Sequence, residues 1–147
     1  AAEKKGDRAE IVDAKISGEA RDVCRELAGQ ISRAAAHTVL LWGGETTVTV
    51  HKPGKGGRNQ DLAIGGLAEI SDDALLVAVS SDGRDNSDIG GAFCDILVKG
   101  KVSELGLNPQ RALDENISYE FWKTVGDYLD IGDTGSNVSD LIIGLKN

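Results

Sequence analysis

The sequence predicts an α/β layer fold, a mixed sheet flanked by helices within one domain. Three observations carry that prediction. Short apolar or β-branched runs recur at 39–42, 74–79 and 141–145. Between them lie segments whose apolar residues fall three and four apart, the period of an amphipathic helix. Glycine-rich polar loops stand at the strand ends, and alternation of this kind marks an α/β fold.

Residues 1–16 begin polar and end in AEIVDAKI, an alternating stretch that reads as a strand or an entering arm. Ser17 then suits the N-cap of a helix carrying Ala20, Val23, Cys24, Leu27, Ala28, Ile31 and Ala35 on one stripe. VLLW at 39–42 is a buried strand, broken by Gly43 and Gly44. ETTVTV at 45–50 resumes it in β-branched residues. HKPGKGG at 51–57 is a loop. A helix over 58–70 follows, with Gly65 and Gly66 inside it, where each costs about 1 kcal/mol relative to alanine. That pair is best understood if another backbone packs closely there. ALLVAV at 74–79 has the unbroken apolar character of a strand buried on both faces. After the polar loop 80–88, IGGAF reads as the opening of a helix. Short helices follow at 108–113 and 119–125, and LIIGL at 141–145 closes the chain as a strand. The domain limits read as an arm at 1–16 and a single domain at 17–147, without a linker inside it.

Composition narrows the function. Net charge is −8, from 24 acidic and 16 basic residues, so a partner made of bulk nucleic acid is not expected. Aromatics at 4% also argue against a base-stacking platform. No window approaches 18 apolar residues, so no membrane span is expected. Cys24 and Cys94 stand far apart, without a CxxC or histidine companions. They read as small buried residues of a reduced, cytoplasmic protein rather than as a disulfide or zinc framework. His37 and His51 read as surface or capping residues, and Trp42 and Trp122 as packing anchors. The chain holds no methionine, which suggests a processed or excised piece. It has 19 glycines where an average composition gives about ten. Ten of them fall between Gly43 and Gly91.

Three loops at strand ends could carry chemistry, because open α/β sheets bind ligands there. In the first, residues 54–61, glycines would let backbone N–H groups approach an anion at a helix N-terminus, with Lys55 and Arg58 adding charge. It fits neither a Walker A loop nor GxGxxG, and a flexible loop with solvated Lys and Arg explains it equally well. In the second, residues 81–88, Asp82, Asp85 and Asp88 could hold Mg²⁺ through one or two carboxylates; ordinary turn chemistry is the alternative. The third, residues 132–140, offers Thr134, Ser136 and Asn137 for ligand hydrogen bonds, and again reads equally as a turn.

Taken in series, SGEARDV at 17–23, LLWGGETTVTV at 40–50, GKGGRNQD at 54–61, SDGRDNSD at 81–88 and GDTGSNVSDL at 132–141 resemble the C-terminal domain of type II glycerate kinases, the MOFRL domain. The resemblance runs from about residue 16 to the end. It implies one α/β domain of a two-domain enzyme that moves the γ-phosphoryl group of ATP to glycerate, usually at the 2-hydroxyl, with Mg²⁺. The active site would lie in a cleft shared with a larger N-terminal domain, absent here, which carries a catalytic lysine. Residues 1–16 would be the arm crossing from that domain. The isolated fragment would be inactive, and a homodimer is an open arrangement.

By motif position, Arg58 looks like the cleft arginine that binds substrate or stabilises the moving phosphoryl group. Glu45 and Asp82 look like cleft carboxylates for Mg²⁺ or the substrate hydroxyl, with Asp85 as a second metal ligand. Lys55, Gly56, Gly57, Asn59, Gln60, Thr134, Ser136 and Asn137 would surround substrate and phosphate. The second loop is one residue shorter than the family's SDGxDGxSD, and the usual GPTGTN stands here as GDTGSN, with Asp133 in place of proline. Two other readings stay open. One is a stand-alone module that binds an anion or nucleotide without chemistry. The other is a hydroxypyruvate reductase, against which the missing dinucleotide fingerprint counts.

Overall fold

A computed structural model describes residues 2–147. Six strands form one open sheet in the order β1-β2-β6-β3-β4-β5. β1 (Arg8–Ile16) runs parallel to β2 (Thr38–Gly44), setting Arg8 beside Thr38 and Ile16 beside Gly44. β6 (Asp140–Lys146), the last strand of the chain, inserts between β2 and β3 (Ala74–Ser80), antiparallel to both. β4 (Gly91–Cys94) and the two-residue β5 (Tyr128–Leu129) extend the far edge antiparallel. The insertion of β6 brings Asp140 level with Gly44 on one side and with Ser80 on the other. The ends of three strands from distant parts of the sequence therefore meet at one edge of the domain.

One face of this sheet carries the helices α1 (Ala20–Arg33) and α2 (Arg58–Glu69). Trp42, Leu76 and Ile142 from the sheet join Leu27, Ile31, Leu62 and Ile64 from the helices in a single core. Full burial of each such side chain contributes about 1.5–3 kcal/mol. Gly144 lies under Ile31 and Trp42, and a Cβ there would displace them. α4 (Pro109–Asp114) and α5 (Ser118–Val125) pack outside α2. The indole N–H of Trp122 donates to the carbonyl of Gln60 at 3.0 Å, which fixes α5 on α2. Both tryptophans are buried anchors, as expected.

The structure corrects several expectations. α1 starts at Ala20 rather than Ser17, and Glu19 is its N-cap residue. The segment 45–50 does not continue the sheet. Gly44, at φ +143°, turns the chain away, and Thr47 instead exchanges backbone hydrogen bonds with Gly18 and Ala20 ahead of α1. The second half of IGGAF, with Cys94, forms β4 rather than a helix, because Gly91–Cys94 pair with Leu76–Val79. The helix comes later, as α3 (Ile96–Glu104), capped by Asp95, whose carboxylate accepts from the N–H of Val98 at 2.8 Å. β3 is buried on one face only: Leu76 and Ala78 face the core, while Leu75, Val77 and Val79 are partly exposed. Gly65 and Gly66 do admit close packing, but chiefly of cysteine sulfurs, Cys24 beside Gly65 and Cys94 beside Gly66. Both cysteines are free and buried, and burial pushes each thiol up to about 12.

Candidate functional site

The strand ends, the glycine-rich loop before α2 and the first turn of α5 enclose a cleft of about 830 Å³. Arg58, the first residue of α2, lines it. Its Nε and Nη2 donate to the two carboxylate oxygens of Asp140 at 2.5 and 3.2 Å, and Nη1 lies 2.8 Å from Glu45. Asp140 is buried, with only 1% of its side chain exposed, whereas Arg58 keeps a third of its side chain open to the cleft. The fork fits a carboxylate through two parallel bonds and fixes the plane of the guanidinium. The hydrogen bonds to Asp140 raise the pKa of Arg58 further, so the group is a permanent oriented cation. No motif in the sequence gives Asp140 a role. Its place at the start of a strand hides it, and only the insertion of β6 beside β2 brings it under Arg58.

The first turn of α2 is held from across the cleft. Its N-cap residue is Gly57, which has no side chain to offer. Asp85 replaces that cap: one carboxylate oxygen accepts from the backbone N–H and the side-chain amide of Asn59, both at 3.2 Å. The other accepts from the N–H of Gln60 at 2.8 Å and from its side-chain amide at 3.2 Å. These are the unsatisfied N–H groups at the second and third helical positions, and a carboxylate there also suits the helix dipole. Burial nevertheless pushes the Asp85 carboxyl up in pKa. Expected beside Asp82 at a metal, Asp85 instead has both oxygens on protein donors. The positive end of α2, expected to meet a bound anion, is occupied by this carboxylate. Among the described residues, no group of three or more His, Cys, Asp or Glu side chains is arranged as a metal site.

The glycines of the loop make room for protein atoms. A Cβ at Gly54 would strike the carbonyl of Asn116, one at Gly56 the hydroxyl of Ser118, and one at Gly57 the carboxylate of Asp85. Gly56 and Gly57 therefore line the cleft while their own backbone is packed from behind. Asn59 and Gln60 are buried behind this wall and support Asp85 without lining the cleft. Lys55 also points away from it. Its ammonium sits 3.5 Å above the ring of Tyr119 and 3.6 Å from Asp88.

Asp82 lines the cleft. One of its oxygens accepts from the N–H of Arg84 at 2.8 Å and from the hydroxyl of Ser80 at 2.9 Å. These bonds hold its carboxyl below the ordinary carboxylate range, the Arg84 N–H contributing most. In the third loop, Asn137 and Ser139 reach the cleft wall, while Thr134 and Ser136 do not. The Thr134 hydroxyl instead donates to the carbonyl of Ser81 and ties this loop to the second one. Asp133 accepts from the N–H of Gly135 at 2.9 Å, a local turn.

Asp61, one turn beyond Arg58, also lines the cleft and is 3% exposed. Burial pushes its carboxyl up to about 6, the adjacent Ser118 hydroxyl working the other way. Asp61 closes the GKGGRNQD motif but has no role by motif position. Its spacing of three from Arg58 on a helix is the signal that could place it on the same face.

The fold and cleft define a class: an α/β domain that presents an oriented arginine among carboxylates at the end of a mixed sheet. Residues 38–140 match the model of the MOFRL family. The chain is 38% identical to a glycerate 2-kinase of Pyrococcus horikoshii, over 98% of this chain and 35% of that protein. The crystal structure of a glycerate kinase from Thermotoga maritima superposes with a TM-score of 0.94 at 34% identity, over 99% of this chain and 38% of that one. A relative from Agrobacterium vitis, 32% identical over 89% of this chain and 33% of its own length, is named only provisionally, as a hydroxypyruvate reductase. The chain belongs to the MOFRL family, and it spans between about a quarter and somewhat over a third of the length of the relatives it matches.

Among the described residues, no helix is long and apolar enough to cross a membrane.

Proposed function

We propose that this domain forms one wall of the active site of an ATP-dependent glycerate kinase, which phosphorylates D-glycerate at the 2-hydroxyl. The opposite wall would come from a larger N-terminal domain, with β1 as the strand entering from it. The observation that carries this reading is Arg58. It is a fixed cation, oriented by a buried carboxylate, with one third of its side chain open to the cleft. Phosphoryl transfer depends mainly on positioning and on stabilising charge that spreads over the phosphoryl oxygens, and such an arginine does both.

The residues present also fit Mg²⁺. Asp82 is held ionised and uses one oxygen on its own loop, leaving the other without a donor among the described residues. One or two carboxylates plus phosphate oxygens are the usual protein share of a Mg²⁺ site. Bound there, the ion would neutralise charge on the nucleotide phosphates. Glu45, at 64% side-chain exposure, is a second candidate, already paired with Arg58. Gly56 and Gly57 contribute backbone to the cleft wall, and Asn137 and Ser139 add polar groups to it.

The test is a kinase assay with ATP and D-glycerate, resolving the 2- and 3-phosphate products, on the protein joined to its N-terminal domain and on this domain alone. The joined form is expected to be active and the isolated domain inactive. Arg58→Ala in the joined form should lower kcat by about 10³ or more, by analogy with other charge-stabilising arginines. Arg58→Lys, which keeps the charge without the fork, should recover only a small part. Wild-type turnover in Arg58→Ala would remove the arginine from the mechanism. NADH oxidation with hydroxypyruvate, and no phosphoryl transfer, would replace the kinase reading with the reductase.

A further inference from the structure

The geometry points to Asp61 as the group that accepts the proton of the substrate hydroxyl, one helical turn from the arginine that holds the phosphoryl group or substrate anion; this rests on the kinase reading above. Arg58 and Asp61 are three residues apart on α2, a spacing that sets Cβ atoms about 5–6 Å apart on one helix face. Both side chains line the same cleft, so a small hydroxy acid or phosphoryl donor engaged by Arg58 could present its hydroxyl to Asp61.

The surroundings of Asp61 are those of a group left free for a ligand. It is buried and lines the cleft, and its polar side-chain neighbour is Ser118. The Ser118 hydroxyl is itself buried and lies close enough to Asp61 to lower its pKa, without a well-aligned hydrogen bond to any described residue. A carboxylate and a loosely held hydroxyl side by side would accept from and donate to one alcohol oxygen. Val48, packed against the core, adds an apolar wall to the same cleft.

The other carboxylates in or beneath the cleft are already engaged. Asp140 and Glu45 are paired with Arg58, Asp85 caps α2, and Asp82 is held well ionised by Arg84 and Ser80. The Asp61 carboxyl, pushed up to about 6 by burial, is matched to a proton transfer at neutral pH. The charged groups acting on Asp61 are Arg21 and Glu19 from the start of α1 and Asp85 from the loop after β3. α5 contributes Ser118, and Arg58 is the cation on its own helix. In the step, the alcohol oxygen forms a bond to the γ-phosphorus of ATP, and the bond from that phosphorus to the bridging oxygen breaks. The electron pair leaves with ADP, and the alcohol proton moves to the Asp61 carboxylate, which releases it to solvent with product.

The experiment is the pH dependence of kcat/KM for glycerate phosphorylation by the protein joined to its N-terminal domain, in the wild type, Asp61→Asn and Asp61→Glu, with folding checked by circular dichroism. The wild type should lose activity tenfold per pH unit below about 6. Asp61→Asn should lower kcat at least 100-fold, leave KM for ATP within about threefold, and lose that acidic limb. Asp61→Glu should keep the limb, with its midpoint moved. Should Asp61→Asn fail to fold, the wild-type and Asp61→Glu profiles decide: a limb that is absent, or that does not move with the carboxyl, overturns the assignment. So does a folded Asp61→Asn with wild-type kcat and profile. In either case an active wild type leaves the kinase reading intact, whereas an inactive wild type with ATP and glycerate removes the kinase reading itself.

Discussion

The carboxylate of Asp85 occupies the space a side chain on Gly57 would need, and from there it caps α2. The motif Gly56-Gly57-Arg58-Asn59-Gln60 thus has an internal logic. The glycine admits the acid, Asn59 and Gln60 hold it, and Arg58 is left facing the cleft at the head of a secured helix.

Gly57→Ala should therefore destabilise the fold by about 1–3 kcal/mol, the usual range for overpacking. The backbone at Gly57 has φ −143°, open to any residue, so the effect is steric. Gly100→Ala is the contrast. Nothing lies within 4 Å of a Cβ there, and it sits inside α3, so alanine should stabilise by about 0.5–1 kcal/mol. Urea melts of both variants measure the two signs.

The Arg58–Asp140 pair should respond unevenly to its two truncations. Arg58→Ala leaves a buried carboxylate without its partner, a loss of about 3–5 kcal/mol. Asp140→Asn leaves an arginine that is one-third exposed and still paired with Glu45, and should cost less, about 1–2 kcal/mol. Adding Asp140→Asn to Arg58→Ala should restore part of the stability. A double-mutant cycle by chemical denaturation measures the coupling, and equal effects of the two single variants would contradict the burial asymmetry.

Asp61 should make the domain less stable at neutral than at acidic pH. Its folded pKa, about 6, lies above the ordinary 3.8, so between these values the folded state holds the proton more tightly than the unfolded chain. The stabilisation is present below about pH 4 and is lost as pH rises through 6. A rise from 3.8 to about 6 corresponds to about 3 kcal/mol at most. Asp61→Asn should accordingly be more stable than wild type by about 1–3 kcal/mol at about pH 8, with the difference shrinking toward about pH 4. Thermal melts across that range check it. A variant destabilised equally at both ends would show that the carboxylate is well satisfied in the fold. A stabilising change that also removes activity is the usual trade at a functional site.

Local patterns (helical spacing, unbroken apolar runs and a proline at a helix start) were enough to place helices within 20–33, 58–69, 109–114 and 118–125 and strands within 38–44, 74–80 and 140–146, because these signals act within a few residues. They misassigned β4, because glycine and small residues carry no period of their own and only pairing with β3 makes them a strand. They missed α3, whose apolar residues lie on no single face.

By itself the sequence determined the family, through five motifs in order, and named Arg58, Glu45 and Asp82, all of which line the cleft. Only the tertiary structure decided what each polar residue touches. It turned Lys55 toward Tyr119 and Asp88, put Asp85 under α2, set the buried Asp140 beneath Arg58, and placed Asp61 in the cleft wall. The physical reason is that a side chain's charge state and partners depend on burial and on neighbours 25 to 82 residues away, as between Asp85 and Gln60 or Arg58 and Asp140. The glycine excess marks the same division: its clustering was legible in the sequence, and that the clustered glycines make room for carboxylate, hydroxyl and carbonyl groups of the protein itself was not.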